Sequence, residues 1–275
     1  MNISVILTTY ERSSFLKRAL DSLMAQTMRP YEIIVIDDGS RDDSAAVAAV
    51  YPVRYVWQEN RGISTARNHG IRASAGDWVC FLDGDDCWHP EKLAAQVSYH
   101  REHPELVISQ TEEKWIRQGR FVNQMKKHRK RSGDIFTASL PLCLITPSSV
   151  MLQKTVFDAV GCFDETLPVC EDYDLWLRIT LHYPVGLVPK TLVTKYGGHS
   201  DQLSQRYKGM DRFRIYALEK ILSDPCITPE KKKAVYAELK KKCALYGAGC
   251  LKHNKAEEGV RYCEKARYYE TLMME

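Results

Sequence analysis

Apolar and polar positions along the first hundred residues keep two rhythms in turn. Residues 3–7 (ISVIL) are a short, β-branched apolar run that predicts a buried strand. Phe15, Leu16, Ala19, Leu20 and Leu23 then recur at the three-and-four spacing of a helix with one apolar face. A second apolar run, YEIIVI, ends in the turn Asp37-Asp38-Gly39-Ser40. DDSAAVAAV follows as a helix with an acidic first turn. VRYVWQ predicts a third strand, and residues 63–73 carry helical periodicity that Gly76 stops. WVCFLD predicts a fourth strand, and Pro90 opens the helix HPEKLAAQVSYH. Strand and helix in alternation imply βαβ crossovers and a mainly parallel sheet.

The middle of the chain is less regular. LVISQTEEKWIRQGRFVNQ predicts a hairpin turning near Gln118-Gly119, and a dense basic run, MKKHRKRSG, follows it. PSSVMLQKTVFDAVGCFDE reads as a strand and a short helix. EDYDLWLRITLHY places Leu175, Trp176 and Ile179 on one helical face, and VGLVPKTLVTKYGGHS predicts one or two short strands. From about Gln205 strand signals cease. Three amphipathic helices take over, one of them opening at Thr228-Pro229-Glu230. The last two resemble a single helical hairpin of a tetratricopeptide-like repeat. These features divide the chain into residues 1–203 and an α-helical C-terminal region, residues 204–275.

Composition narrows the class. At 275 residues and 44% apolar content the chain can bury a sizeable core. A net charge of +4 is too small to imply nucleic acid, and no interleaving of basic and aromatic residues suggests it. The nine cysteines include no CxxC pair, sit among apolar neighbours, and fit a reducing, cytoplasmic compartment. The first ten residues lack the basic start and long apolar run of a signal peptide. No stretch approaches the roughly 20 apolar residues of a membrane span. The expectation is a soluble protein, or one held peripherally at the inner face of a membrane.

In an open parallel sheet, ligands bind beyond the carboxyl ends of the strands. Here those ends read Thr8-Thr9-Tyr10, Asp37-Asp38-Gly39-Ser40, Gln58-Glu59-Asn60 and Asp83-Gly84-Asp85-Asp86. No GxGxxG or GxxxxGK[ST] loop is present to cradle phosphate. Carboxylates at such ends repel phosphate unless a divalent cation lies between, and oxygen ligands suit Mg²⁺ or Mn²⁺. The other reading of Asp83-Gly84-Asp85-Asp86 is turn and cap chemistry before the Pro90 helix.

Five stretches in order, VILTTYERSSFLKRALDSLMAQT, EIIVIDDGSRDDS, ENRGISTARNHGI, GDWVCFLDGDD and GCFDETLPVCEDYDLWLRI, resemble the family 2 glycosyltransferases over roughly 180 residues. The resemblance implies an α/β GT-A nucleotide-diphospho-sugar transferase fold, a mainly parallel mixed sheet between helices, with a C-terminal α-helical appendage. It implies a metal-assisted, inverting transfer of a single sugar from a nucleotide-diphosphate sugar, a UDP-sugar by preference. The acceptor would be a saccharide or lipid-linked saccharide hydroxyl, as in cell-surface polysaccharide or glycolipid assembly. By the same resemblance Thr8 and Tyr10 line the base pocket and Asp38 accepts from the base. Asp83 and Asp85 form the DxD motif, Asp85 on the metal and Asp83 nearer the ribose. Arg67 either lies near the donor or braces its helix. Asp172 is the general base and Glu171 orients the acceptor or Asp172, although both acids could simply cap their helix. His199 either reaches the diphosphate and metal or is a solvated loop residue. Glu11 stands where the family often has Asn, and the QxxRW motif of processive synthases is absent.

The helix dipole at Asp172 favours its ionised form while neighbouring Glu171 and Asp174 oppose it, a balance that suits a base. The run Lys126 to Arg131 reads either as an exposed loop or as a contact for an anionic acceptor or membrane surface. Two other classes compete with the enzyme. One is a catalytically inactive nucleotide-sugar-binding or scaffolding module. The other is a nucleotidyltransferase, disfavoured because the first strand lacks a glycine-rich basic loop.

Overall fold

In the computed structural model, residues 1–198 and 207–274 are described. Strands β1 (Ile3–Thr9), β2 (Glu32–Asp37), β3 (Arg54–Trp57) and β4 (Trp78–Asp83) alternate with helices α1 (Ser13–Met24), α2 (Ser44–Ala49) and α3 (Ile63–Ala73). The four strands are mutually parallel in the order β3-β2-β1-β4. All four therefore end at the same edge of the sheet. A short β5 (Cys87–Trp88) and α4 (Lys92–Glu102) come next. The second half of the sheet adds β6 (Ile108–Arg117), β7 (Arg120–Val122), β8 (Val150–Gln153) and β9 (Gly186–Gly197), with a short helix α5 (Phe136–Ser139) before β8. Among the described residues these nine strands make one mixed sheet, β3-β2-β1-β4-β8-β6-β9-β5, with β7 paired to β6. The expected hairpin at Gln118-Gly119 is present, pairing Arg117 with Arg120. The expected one or two strands in residues 185–200 form a single β9, which shifts register against β6 on either side of Glu112.

Side chains of one strand point alternately to the two faces, so strands buried on both faces read as unbroken apolar runs. In β1, Ile6 enters one core while Val5 and Leu7 enter the other. In β4, Val79 and Phe81 face the first, Cys80 and Leu82 the second. The second core is closed by Leu16, Ala19, Leu20 and Leu23 of α1, the residues whose spacing predicted that helix. The first is closed by α3, by α6 (Val156–Val160) and by α7 (Glu171–His182).

Helix α7 has two working faces. Leu175, Trp176 and Ile179 pack on the sheet, as their spacing predicted. Tyr173, Leu177 and Leu181 point the other way, into a third core with Ile215, Leu218 and Ile221 of α8 (Asp211–Ile221) and Val235, Leu239 and Cys243 of α9 (Pro229–Lys252). Helix α10 (Ala256–Met274) completes that core with Ala266 and Tyr269. Thr228 caps α9 by accepting the Lys231 amide at 3.3 Å, as the sequence suggested. Where α9 meets α10, a Cβ on Gly247 would sit 2.9 Å from the Gly259 carbonyl oxygen, so glycine permits the close crossing. The division expected near residue 203 lies outside the described residues. On either side of it the C-terminal helices and α7 share one core.

That shared core gives a test. Leu218→Ala, at a fully buried position, is expected to cost about 2–5 kcal/mol. Calorimetry should show one transition moved down as a whole. A separate early transition would mean that the helical region unfolds independently.

Candidate active site

The parallel strands deliver their last residues to one edge. Thr8 of β1 pairs in register with Asp83 of β4, and Thr9 with Asp37 of β2. After Asp83 the chain turns back on β1, and the Gly84 amide donates to the Thr8 carbonyl at 3.1 Å. A Cβ at Gly84 would lie 2.9 Å from that same oxygen, so the residue between the two aspartates has to be glycine.

Beside this edge the ends of β1, β2 and β3 enclose a cleft of about 660 Å³. Tyr10, Glu11, Gly39, Arg41, Trp57, Glu59 and Asn60 line it. Tyr10 and Trp57 expose about half of their surface there, 46% and 57%. Two exposed aromatic side chains among polar ones suit a flat heterocycle. Thr8 is buried, and the cleft is walled by Tyr10 rather than by Thr8. Asp38 is buried too, and its carboxylate accepts from Gln58 Nε2 at 2.7 Å and from the backbone amides of Arg61 and Gly62 at 3.0 and 2.8 Å. It thereby folds the loop that forms one wall. A carboxylate offers about four acceptor sites, so one remains for a ligand. Buried Thr9 Oγ1 beside it has no partner among the described residues.

Arg67 of α3 links two stretches of chain far apart in sequence. Its guanidinium is 5% exposed and donates to Asp83 Oδ1 and to Glu171 Oε1, each at 2.7 Å. Bracing and proximity to the strand-end aspartates are therefore both true of this one residue. Burial raises Asp83, but Arg67, Lys195 and Arg12 outweigh it and hold the carboxyl below its ordinary range. For Glu171 the balance reverses. Burial and the charge of Asp172 overcome Arg67 and push it up to about 7. Both acids share Arg67, but Asp83 has two further cations near it and Glu171 has an anion.

Asp85 pairs with Arg12, and Arg18 Nη2 donates to its carbonyl at 2.8 Å. Burial and the charge of Asp83 still raise Asp85 above its ordinary value. The contacts to Asp83 and Asp85 use one oxygen each. Among the described residues the second oxygen of each carboxylate accepts nothing from a side chain. Two hard oxygen donors at the strand ends are a set that Mg²⁺ or Mn²⁺ accepts, with ligand or water oxygens completing six. The same carboxylates bound to arginine are also a self-contained ion network. Among the described residues, the trio of metal-capable side chains with ligand atoms within 4.8 Å of one another is His182, Asp224 and Cys226, at the far end of α7. Two of its members are already hydrogen-bonded to each other, at 2.8 Å. His199 lies outside the described residues.

Asp172 stands in the first turn of α7, half-buried, its Oδ1 accepting the Tyr173 amide at 2.7 Å and its Oδ2 lying 3.6 Å from Cys143 Sγ. Cys170, just before the helix, adopts φ +62°, a left-handed conformation uncommon outside glycine. It turns the chain so that two acids open the helix together.

Sequence reasoning missed three groups. Lys195 of β9 lies in the field of Asp86, Glu113, Asp83 and Asp172, which together overcome its burial and raise its pKa. Asp86 is buried, accepts from Ser148 Oγ at 2.7 Å, and is pushed well up, chiefly by burial. Lys130, within the basic run, turns inward to pair with Glu113 at 3.1 Å, both side chains 2% exposed. Neither an exposed loop nor an anionic contact describes it. A lone lysine in a strand carries no local signal. Only the pairing of β6 with β9, Trp115 opposite Lys195, brings it to the acids.

Comparison with known proteins gives the family and the fold. The family model described as glycosyl transferase family 2 matches residues 4–161, more than half of the chain, and the chain belongs to that family. An uncharacterised glycosyltransferase of Rickettsia bellii is 32% identical over 215 residues, covering 74% of this chain and 31% of that protein. YwdF, an uncharacterised glycosyltransferase of Bacillus subtilis, is 30% identical over 201 residues, 69% of this chain and 72% of its own length. The chain spans about a third of the length of the Rickettsia bellii and Rickettsia conorii relatives. The structure of S. aureus TarS 1-349 with UDP-GlcNAc superposes with a TM-score of 0.77 at 19% identity, over 97% of this chain and 79% of that one. The mannosyltransferase PcManGT of Pyrobaculum calidifontis, solved with GDP-Man and Mn²⁺, superposes at 0.61 and 16% identity, over 99% and 83%. The fold is GT-A, an α/β mixed sheet between helices with a helical C-terminal region.

Two outcomes follow for the shared arginine. Arg67→Met leaves Asp83 and Glu171 unpaired and should cost about 3–5 kcal/mol in thermal or denaturant unfolding. Glu171 has a folded pKa above its ordinary 4.5. Its contribution to stability is therefore full below that value and declines as pH rises through about 7. Between about pH 5 and about pH 8, Glu171→Gln should lose less melting temperature than the wild type. Equal losses would place the ionised form of Glu171 in the fold throughout that range.

Proposed function

We propose that the chain transfers a single sugar from a nucleotide-diphosphate donor, a UDP-sugar by preference, to a hydroxyl of a saccharide or lipid-linked saccharide, with inversion. The observation that carries this is the chain of contacts Asp83–Arg67–Glu171. It joins the end of the central strand, beside the aromatic cleft, to the helix that opens with Asp172. Donor-side and acceptor-side groups are thus held at one edge by a buried cation. TarS with UDP-GlcNAc and PcManGT with GDP-Man and Mn²⁺ support a nucleotide-sugar donor on this fold. Nine free cysteines agree with a reducing, cytoplasmic setting.

In this reading the base lies between Tyr10 and Trp57, and the remaining acceptor site of Asp38 takes a donor from its edge. Thr8 acts through its carbonyl, which pins Gly84 and so aims the aspartates on either side. Asp83, oriented by Arg67, faces the ribose. Asp85, with Asp83, would hold Mn²⁺ or Mg²⁺, which when bound neutralises charge on the departing diphosphate. Lys195 adds a fixed positive charge on the same side. Asp172 takes the proton of the acceptor hydroxyl as its oxygen bonds to the anomeric carbon and the bond to the diphosphate oxygen breaks. Attack from the face opposite the leaving group inverts that carbon. Glu171, gripped by Arg67, holds the start of α7 and so the position of Asp172.

The test is thermal stability with a panel of nucleoside diphosphates, each with and without Mn²⁺, followed by turnover of the matching sugar donors. A folded-state ligand at a hundred times its Kd adds about 2.7 kcal/mol. UDP should stabilise the wild type only with metal, and Asp85→Ala should abolish the shift. Asp172→Asn should keep the nucleotide shift but lose about 10²–10⁴-fold in turnover. No shift with any nucleotide would defeat the donor assignment, and undiminished turnover in Asp172→Asn would move the base elsewhere.

A further inference from the structure

Apart from Glu113 and Lys130, the β6–β7 hairpin and the segment after it take no part in the site just described. From residue 114 to residue 133 the chain carries eight lysines and arginines and no aspartate or glutamate. Lys130 is used internally, paired with Glu113. The other seven are exposed, and among the described residues none of them is in an ion pair. Arg117 and Arg120 stand directly opposite each other across the hairpin. Like charges in that position are destabilising. The tight turn between them has positive φ at both Gln118 and Gly119, 49° and 74°, which sets the pair face to face.

Two large apolar side chains share this region, Phe121 at 65% exposure and Met125 at 58%. Neither belongs to a core. The region is held as a unit: Trp115 packs on His128 with ring centroids 5.2 Å apart, and Gln124 Nε2 donates to the Glu113 carbonyl at 2.9 Å. Lys126, Lys127 and His128 form a single 3-10 turn at its edge. Unneutralised cations call for an anionic partner. Exposed Phe and Met among them call for an apolar one. A bilayer of anionic lipid supplies both in one surface: headgroup charge for the cations and acyl chains for side chains that penetrate the interface. A nucleic acid would satisfy the cations and leave Met125 in water.

We infer that the β6–β7 hairpin and residues 123–131 dock this protein on an anionic lipid surface, with Phe121 and Met125 entering the interface. The inference concerns a surface apart from the proposed transfer site and does not depend on sugar transfer. It has structural reach toward that site, since Glu113 at the base of the hairpin faces Lys195.

Co-sedimentation of the full chain with vesicles tests it. Vesicles of phosphatidylcholine with phosphatidylglycerol should bind the protein, and phosphatidylcholine alone should not. Added salt should weaken binding, because exposed charges are screened. Lys126→Glu with Lys127→Glu should weaken binding by more than about tenfold. Phe121→Ser with Met125→Ser should weaken it by about fivefold or more. Both double variants alter exposed side chains and should keep the wild-type melting temperature. Failure of the wild type to sediment with anionic vesicles overturns the inference. Unchanged binding by the Phe121 and Met125 variant also overturns it, since the surface would then recognise charge alone. So does displacement from vesicles by duplex RNA that binds both double variants as their charge dictates, which would make this a nucleic-acid surface.

Discussion

The site depends on one guanidinium. Five carboxylates, Asp83, Asp85, Asp86, Glu171 and Asp172, gather at one edge of the sheet, and bringing them there out of water is costly without compensation. Arg67 makes the arrangement possible because its fork can donate to two acids at once, one on β4 and one on α7. A lysine at the same place would be a point charge, unable to hold two carboxylates in fixed planes. The consequence is an asymmetry within the pair. Asp83 also feels Lys195 and Arg12 and stays charged, while Glu171 has Asp172 as its neighbour and rises toward neutrality. Two chemically similar acids that share one partner acquire different protonation behaviour from their other neighbours.

That geometry needs α7 to be immobile, which explains the helical region behind it. A helix with one apolar stripe could rock on the sheet. α7 has two stripes, and the second, Tyr173, Leu177 and Leu181, is clamped by α8 and α9. The polar end of the same helix is tied as well: Asp174 accepts from Arg178 at 2.7 Å and lies 3.2 Å from Lys220 of α8. The first turn, carrying Glu171 and Asp172, is thereby fixed from the sheet, from the helical region and from Arg67. The C-terminal helices line no part of the cleft, yet they bear on Glu171 and Asp172 through this one element.

How much of this was legible in the sequence follows from the range of the forces involved. Elements set by local periodicity were readable. The α1 stripe, the four parallel strands and the Gln118-Gly119 turn stand where their patterns put them. The acids at strand ends were readable too, because parallel strands bring consecutive strand ends to one edge whatever lies between. Groups whose importance comes from a partner distant in sequence were not. Lys195 reaches the acids only through β9 pairing with β6, and Lys130 turns inward because Glu113 lies buried beneath it. The second stripe of α7 went unseen for a related reason. Tyr173, Leu177 and Leu181 fall between the residues of the first stripe, and only the later helices give them a surface to cover.

Lys130 also shows how a charged segment can have two roles. Within six residues the chain sends one cation into the protein and leaves its neighbours outside. The inward lysine, through Glu113 and the hydroxyls of Thr146 and Ser149, fastens the segment to the sheet. A basic loop without such a tether would move freely, and its charge would act as a diffuse cloud. Tethered, with Trp115 packed against His128, it presents cations and apolar side chains at fixed positions beside the edge where the acids gather. β6 is the common support. Glu113 points into the network beneath, and four residues later Arg117 begins the exposed turn. Whatever meets the outer face of that hairpin therefore meets a surface mechanically continuous with the site.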